Sequence, residues 1–273
     1  MKTKVKHSIT IYIALCILFS VYRADAETYY VWAVSGLNIR DKPGEYGRIT
    51  GRLPYGEKLK IDVEKQTEED TYHEVLMLPG IHNDGDEFHS IMVIKEKTEN
   101  SVYLKGNWIR ITYNGQRGYI FSGYLSRLPV FRVEKDREGR ISYESELNYF
   151  KRCFTLTNCD TSALFRRYSD NITRNYVFKE GIIISDPNPE YYVALDYCFA
   201  NLTMNEALLF IKVCYGLEDL ALPLSPEYLN SGDLFYGQES SEYKIEIHYP
   251  APDGKIIITI MDSFTIISVY GTC

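Results

Sequence analysis

Apolar and polar positions alternate with period two near both ends of the chain, and that pattern predicts strands. Leu37 and Ile39 alternate with Asn38 and Arg40 before Pro43 and Gly44 close a turn. After a second turn at 54–56, Leu59 and Ile61 resume the alternation. Trp108, Ile109 and Ile111 run into Asn114-Gly115, and Tyr119, Ile120 and Phe121 follow. Both turn residues tolerate the positive φ that a two-residue turn demands, so this segment reads as a hairpin. Towards the other end, Tyr243, Ile245, Ile247 and Tyr249 alternate with Lys244, Glu246 and His248. Asp253-Gly254 then turns into 256–261, and Asp262-Ser263 precedes 264–270, which predicts a three-strand meander.

The period changes at Thr203-Met204-Asn205-Glu206, whose Thr-x-x-Glu spacing is that of a capping box at a helix start. Residues 207–214 continue the helix and Gly216 is a natural stop. Leu208, Leu209, Phe210, Ile211 and Val213 make it apolar on nearly every side, which places it in a core. Residues 161–174 read as a second, weakly periodic helix. The mixed-sign stretch 129–146 reads as a connector. The long segment 64–105 is acidic at its start and carries three histidines. It reads either as an extended hairpin, with 74–78 and 91–94 as its strands, or as a mobile loop.

GLNIRDKP at 36–43 and GNWIRITYNGQRGYIFSGYL at 106–125 resemble the opening and closing signatures of a bacterial SH3-like (SH3b) domain. The resemblance covers residues 29–128. It implies an all-β SH3-like barrel over 27–128, interrupted by the 64–105 insert and working as a binding module of the cell envelope. Two features depart from the family pattern: Tyr119 stands where the family most often carries Trp, and the insert is longer than the usual link. Beyond the connector, 147–273 reads as an acidic α+β domain of no recognised family. The resemblance implies peptidoglycan peptide or an envelope protein as partner, and no cofactor.

Residues 1–26 carry Lys2, Lys4 and Lys6, then a mostly apolar run, then Ala24-Asp25-Ala26, the order of a cleaved signal peptide. Cleavage after Ala26 would give an exported chain, periplasmic or extracellular. Large Leu15 before Cys16 argues against a lipid anchor. No other stretch approaches the ~20 apolar residues of a membrane span. The chain's formal charge is −7, and residues 180–273 hold only three basic side chains against 14 acidic ones. Nucleic acid is therefore excluded as a partner, since phosphate binding needs clustered Lys and Arg.

Cys153, Cys159, Cys198, Cys214 and Cys273 all lie in the second half. In an oxidising compartment they are disulfide candidates, with Cys153 and Cys159 the closest pair in sequence. The other reading is that several are buried thiols acting as small hydrophobes. Cys198 followed by His248 has the nucleophile-then-base order of papain-like cell-wall cysteine peptidases, which is the alternative function. Its DYCFANL context and the helix start five residues later do not fit that family. His73, His82 and His89 with Asp84, Asp86 and Glu87 lack the spacing of a zinc or calcium site and read as a solvated loop.

The 24 tyrosines exceed what core packing absorbs, because each phenol needs a polar partner. Tyr46, Tyr55, Trp108, Tyr113 and Tyr124 are the candidate ligand-binding set of the first domain. Tyr119 is assigned to its core, and Asn38 and Arg40 to bracing its first loop.

Overall fold

Asn114 and Gly115 both take left-handed backbone, with φ of 50° and 79°, and so turn the chain sharply between two strands, as their order in the sequence requires. In the computed structural model, residues 27–61, 72–78, 101–135, 141–160, 173–187, 193–215, 236–241, 243–248 and 254–271 are described. Residues 1–26, 79–100 with the expected strand at 91–94, Cys273 and most of the expected helix at 161–174 lie outside them.

The first half contains β1 (Glu27–Val31), β2 (Leu37–Arg40), β3 (Ile49–Leu53), β4 (Lys58–Ile61), β5 (Tyr72–Leu78), β6 (Val102–Tyr113), β7 (Gln116–Phe121) and β8 (Leu125–Ser126). They form an antiparallel five-stranded sheet, β3-β2-β7-β6-β5, and a three-stranded one, β4-β1-β8. The all-β character is as expected, but the described strands form no closed barrel. Strand β5 contains the expected 74–78 and pairs antiparallel with the start of β6, through Tyr72↔Asn107 to Leu78↔Val102, while the expected partner strand at 91–94 lies outside the described residues.

The alternation along the hairpin β6–β7 serves two cores at once. Ile109, Ile111 and Ile120 point into a small cluster with Val31, Leu37, Ile39 and Leu53. Trp108 and Phe121, paired across the hairpin, point the other way into a larger cluster.

That larger cluster runs through the second half. After β9 (Val133–Lys135) and β10 (Ile141–Tyr143) come α1 (Glu146–Cys153), β11 (Leu156–Asp160), β12 (Thr173–Phe178), β13 (Ile183–Pro187), β14 (Val193–Ala200), α2 (Met204–Cys214), β15 (Tyr236–Ser241), β16 (Lys244–His248), β17 (Lys255–Met261) and β18 (Phe264–Gly271). The strands from β11 onward form one antiparallel sheet, β11-β12-β13-β14-β18-β17-β16-β15. The expected meander is its β16-β17-β18 portion. Thr173 and Arg174, assigned above to a helix, begin strand β12. Tyr243, expected on the inner face, is exposed beside the turn into β16. Ile184, Tyr197, Ile267, Ile258 and Ile245 stand in register across five adjacent strands, and all are buried.

Helix α2 covers that row. Thr203 and Glu206 make the expected capping box: the Glu206 N–H donates to Thr203 Oγ1 at 3.2 Å and the Thr203 N–H to Glu206 Oε2 at 3.1 Å. Phe210 in its middle lies within ring contact of Trp32, Phe131, Tyr149, Phe150, Tyr197 and Phe199, at centroid distances of 5.4 to 6.5 Å. One aromatic core therefore joins both halves.

The described residues of the stretch 129–146 pack against α1. Phe131 is buried and stacked on Tyr149 at 4.2 Å. The Tyr149 hydroxyl donates to Pro129 O at 2.7 Å, Arg152 donates to Val130 O at 3.0 Å, and Glu144 accepts from both Arg152 and the Arg132 N–H. Within the stretch it is the Glu144 carboxylate that serves this network.

Candidate functional site

Arg40 and Trp108 come together because β7 lies between their strands: Arg40 pairs with Tyr119, and Trp108 with Phe121. The Arg40 guanidinium sits 5.8 Å from the Trp108 ring centroid, a cation–π distance. Its Nη1 also donates to Gly47 O at 2.5 Å, so Arg40 braces the loop after β2 as expected while facing the indole.

Three further elements complete the site. From β5, the His73 ring lies 6.3 Å from Trp108 and meets Phe121 edge-on at 5.8 Å. Phe121 meets Tyr124 at 5.9 Å. From α2, the Lys212 ammonium lies 5.7 Å over the Tyr124 ring. These groups line a cavity of about 320 Å3, with Glu45 as a carboxylate in its wall. The volume is at the lower end of the roughly 300–1,000 Å3 of small-ligand pockets. The Trp108 Nε1–H is buried without a hydrogen-bond acceptor among the described residues, so this wall carries a desolvated donor.

Of the five expected ligand residues, the structure brings only Trp108 and Tyr124 to this cavity. Tyr46 is 88% exposed, in the loop next to Glu45. Tyr113 packs against the small core at the end of β6. Tyr55 lies in the turn between β3 and β4 and is not part of the lining. Tyr119 is half-buried, with Arg110 Nη2 donating to its hydroxyl at 2.9 Å, so it is no interior residue. Sequence reading missed His73 and Lys212, which reach the cavity only through the β5–β6 pairing and the docking of α2. Arg40 was assigned its bracing role, and nothing local signalled that β7 would set it over Trp108.

Cys153, Cys159, Cys198 and Cys214 are free thiols. Cys153 closes α1 while exposed Cys159 lies in β11, and Cys214 donates to Glu146 Oε1 at 3.3 Å. Burial pushes the Cys153 thiol up to about 11, and raises Cys214 well above its usual range. For Cys198, burial raises the thiol and Asp196 adds to it, the reverse of an activated nucleophile.

Register also separates Cys198 from His248. Cys198 pairs with Ile266, Ile266 with Thr259 and Thr259 with Lys244, three strands away and four residues short of His248. At ~4.8 Å per strand spacing and ~3.3 Å per residue, the two backbones are about 19 Å apart, which excludes a nucleophile–base pair. Among the described residues, no group of three or more His, Cys, Asp or Glu side chains is placed to hold a metal ion. His82, His89, Asp84, Asp86 and Glu87 lie outside those residues. Among them too, no helix is long and apolar enough to cross a membrane.

Compared with protein families, characterised proteins and solved structures, the chain matches none of them.

Proposed function

We propose that this protein is an exported, non-catalytic binding protein of the bacterial envelope, whose SH3b-like first half recognises peptidoglycan peptide or a protein partner. The observation that carries this reading is the cavity between β2, β5, β6 and α2, with its aromatic walls and the cations Arg40 and Lys212. The pairing of β2 with β7 supports the family reading, because it sets the LNIR strand beside the QRGYIF strand of the closing signature. The raised Cys198 thiol and its distance from His248 support binding over peptidase chemistry.

The test is a pull-down of residues 27–273 with purified peptidoglycan and with envelope protein extracts. Tyr124→Ala, checked by thermal melting for retained fold, should weaken capture by about 1–3 kcal/mol, as for an aromatic anchor. Undiminished capture by this variant, or clearing of a peptidoglycan suspension by wild type but not by Cys198→Ala, would overturn the proposal.

A further inference from the structure

The eight-stranded sheet has one face filled by the helices and a second face whose composition does not suit water. Its inner row, Ile184, Tyr197, Ile267, Ile258 and Ile245, is 0–4% exposed, and both helices reach it, through Phe150 of α1 and Phe210 of α2 at Tyr197. Side chains one residue further along each strand point to the opposite face. There Val177, Ile183, Cys198 and Ile266 stand side by side on the adjacent strands β12, β13, β14 and β18, and Ile257 pairs with Ser268 in the row beside them. All five of these apolar side chains are half-buried. Phe264 and Met261, paired at the β17–β18 turn, extend the patch and are 49% and 55% exposed. An antiparallel sheet that keeps one face in water carries polar side chains there; this one presents a continuous apolar row, the mark of a contact surface.

The polar positions of the same face are tied to one another. The Ser185 hydroxyl donates to Asn175 Oδ1 at 2.8 Å, the Ser268 hydroxyl donates to Asp196 Oδ1, Lys244 Nζ donates to Glu246 Oε1 at 2.6 Å, and the Lys255 ammonium lies 5.5 Å over the Tyr270 ring. Groups already bonded to their neighbours lose little when water is removed from them. Across the six strands from β12 to β16, the outward charged positions are Lys244, Lys255, Asp196 and Glu246, two of each sign. The face is therefore neutral on a chain of formal charge −7, so two copies of it meet without the repulsion that the whole-chain charge would set up.

We propose that this face is a dimer interface: the outer faces of two copies of the chain pack on one another, sheet on sheet, across a twofold axis. Size and shape both select a second copy as the occupant. Six strands at ~4.8 Å each by four outward rows at ~6.6 Å present about 750 Å2, close to the ~800 Å2 per partner of a stable complex. Two identical sheets share one right-handed twist and so pack aligned at about −30°, with their side chains interdigitated. A twofold contact also needs a patch that complements itself, which neutral apolar rows provide. The interface goes beyond the binding reading and does not depend on it, since no residue of this face lines the cavity.

Sedimentation equilibrium should give twice the chain mass at micromolar concentration, with dissociation on dilution. Phe264→Ser, at the exposed end of the patch, should weaken association at least tenfold, and Ile266→Lys, in the middle of the row, should abolish it. Ile49→Lys, at a 53% exposed apolar position on β3, should leave it unchanged. Cys198 reports on the face itself: its alkylation by iodoacetamide should speed up at least tenfold on dilution or in Phe264→Ser, while exposed Cys159 on β11 keeps one rate throughout. A single-chain mass at every concentration overturns the proposal and leaves the face to a different partner. So does a dimer that Phe264→Ser does not weaken, or one in which the Cys198 rate is independent of concentration.

Discussion

Arg127 holds Glu206 across the seam between the two halves: its Nη2 donates to Oε2 at 2.6 Å and its Nε to Oε1 at 3.0 Å. The Arg127 N–H and the Ser126 hydroxyl donate to the same Oε1 at 2.8 and 3.2 Å. Glu206 thus serves both the capping box of α2 and the end of β8. Removing Arg127 leaves a buried carboxylate uncompensated. Arg127→Ala should cost about 3 kcal/mol in urea unfolding, at the low end for a broken buried pair because Arg127 stays 37% exposed. A loss under 1 kcal/mol would show that the pair does not hold the seam.

The same carboxylate sets an acid limit. Burial alone would raise the Glu206 carboxyl, but hydrogen bonds from the Arg127 side chain and backbone outweigh it and hold the group below its ordinary 4.5. Glu144 is held below 4.5 in the same way, burial being outweighed by Arg152. The folded chain therefore binds fewer protons than the unfolded one near this pH. The stability these groups contribute is complete above 4.5 and is lost as pH falls through their lower folded values. Unfolding free energy measured below pH 5 should decline with acid, and Glu206→Gln should flatten that decline. An identical slope in the variant would count against it.

Phe210 makes the halves one cooperative unit. Its ring lies within contact of Trp32 and Phe131, which precede α1, and of Tyr149 and Phe150 on α1 and Tyr197 and Phe199 on β14. Phe210→Ala should cost about 3–5 kcal/mol and lower the melting of both halves together. A fragment of residues 27–128 should fail to give a cooperative melt, because Trp32, Phe121 and Leu128 would lose their cover. Two separate transitions in the full chain by calorimetry would contradict this.

What the sequence disclosed is what short-range chemistry decides. Asn114-Gly115, the Thr203–Glu206 box and the β16-β17-β18 meander each rest on residues within a few positions of one another. The seam does not: Ser126 and Arg127 meet Glu206 about eighty residues away, and no local signal marks a capping glutamate as a docking point. Trp108 reads as a ligand candidate and Phe121 as a strand residue, yet the core that both join depends on where α2 packs. The cavity was half legible for the same reason. Arg40, Trp108 and Tyr124 lie in the two signatures, whereas His73 and Lys212 arrive by tertiary pairing.

The free thiols predict a labelling order. Exposed Cys159 should react first with iodoacetamide at pH 8, Cys198 more slowly, and Cys153 and Cys214 last, since burial keeps those two thiols protonated. Peptide mass spectrometry of the native protein, with and without reductant, reads this directly. A Cys153–Cys159 disulfide in the unreduced sample would restore the stapled reading of this half.

Two glycines of the closing signature separate backbone strain from close packing. Gly115 has a φ of 79° and open space around it, so Gly115→Ala meets strain alone and should cost about 1–2 kcal/mol. Gly118 lies where a Cβ would strike the Ile39 side chain and come within 2.9 Å of Arg40 O. Gly118→Ala must therefore push β2 away from β7, at about 1–3 kcal/mol for overpacking, and it moves the residue that stands over Trp108. The two variants should be destabilised comparably, while only Gly118→Ala shifts the Trp108 fluorescence of the folded protein, because only it displaces Arg40 from the indole. If both keep the wild-type emission, the β2–β7 contact does not position Arg40 over Trp108.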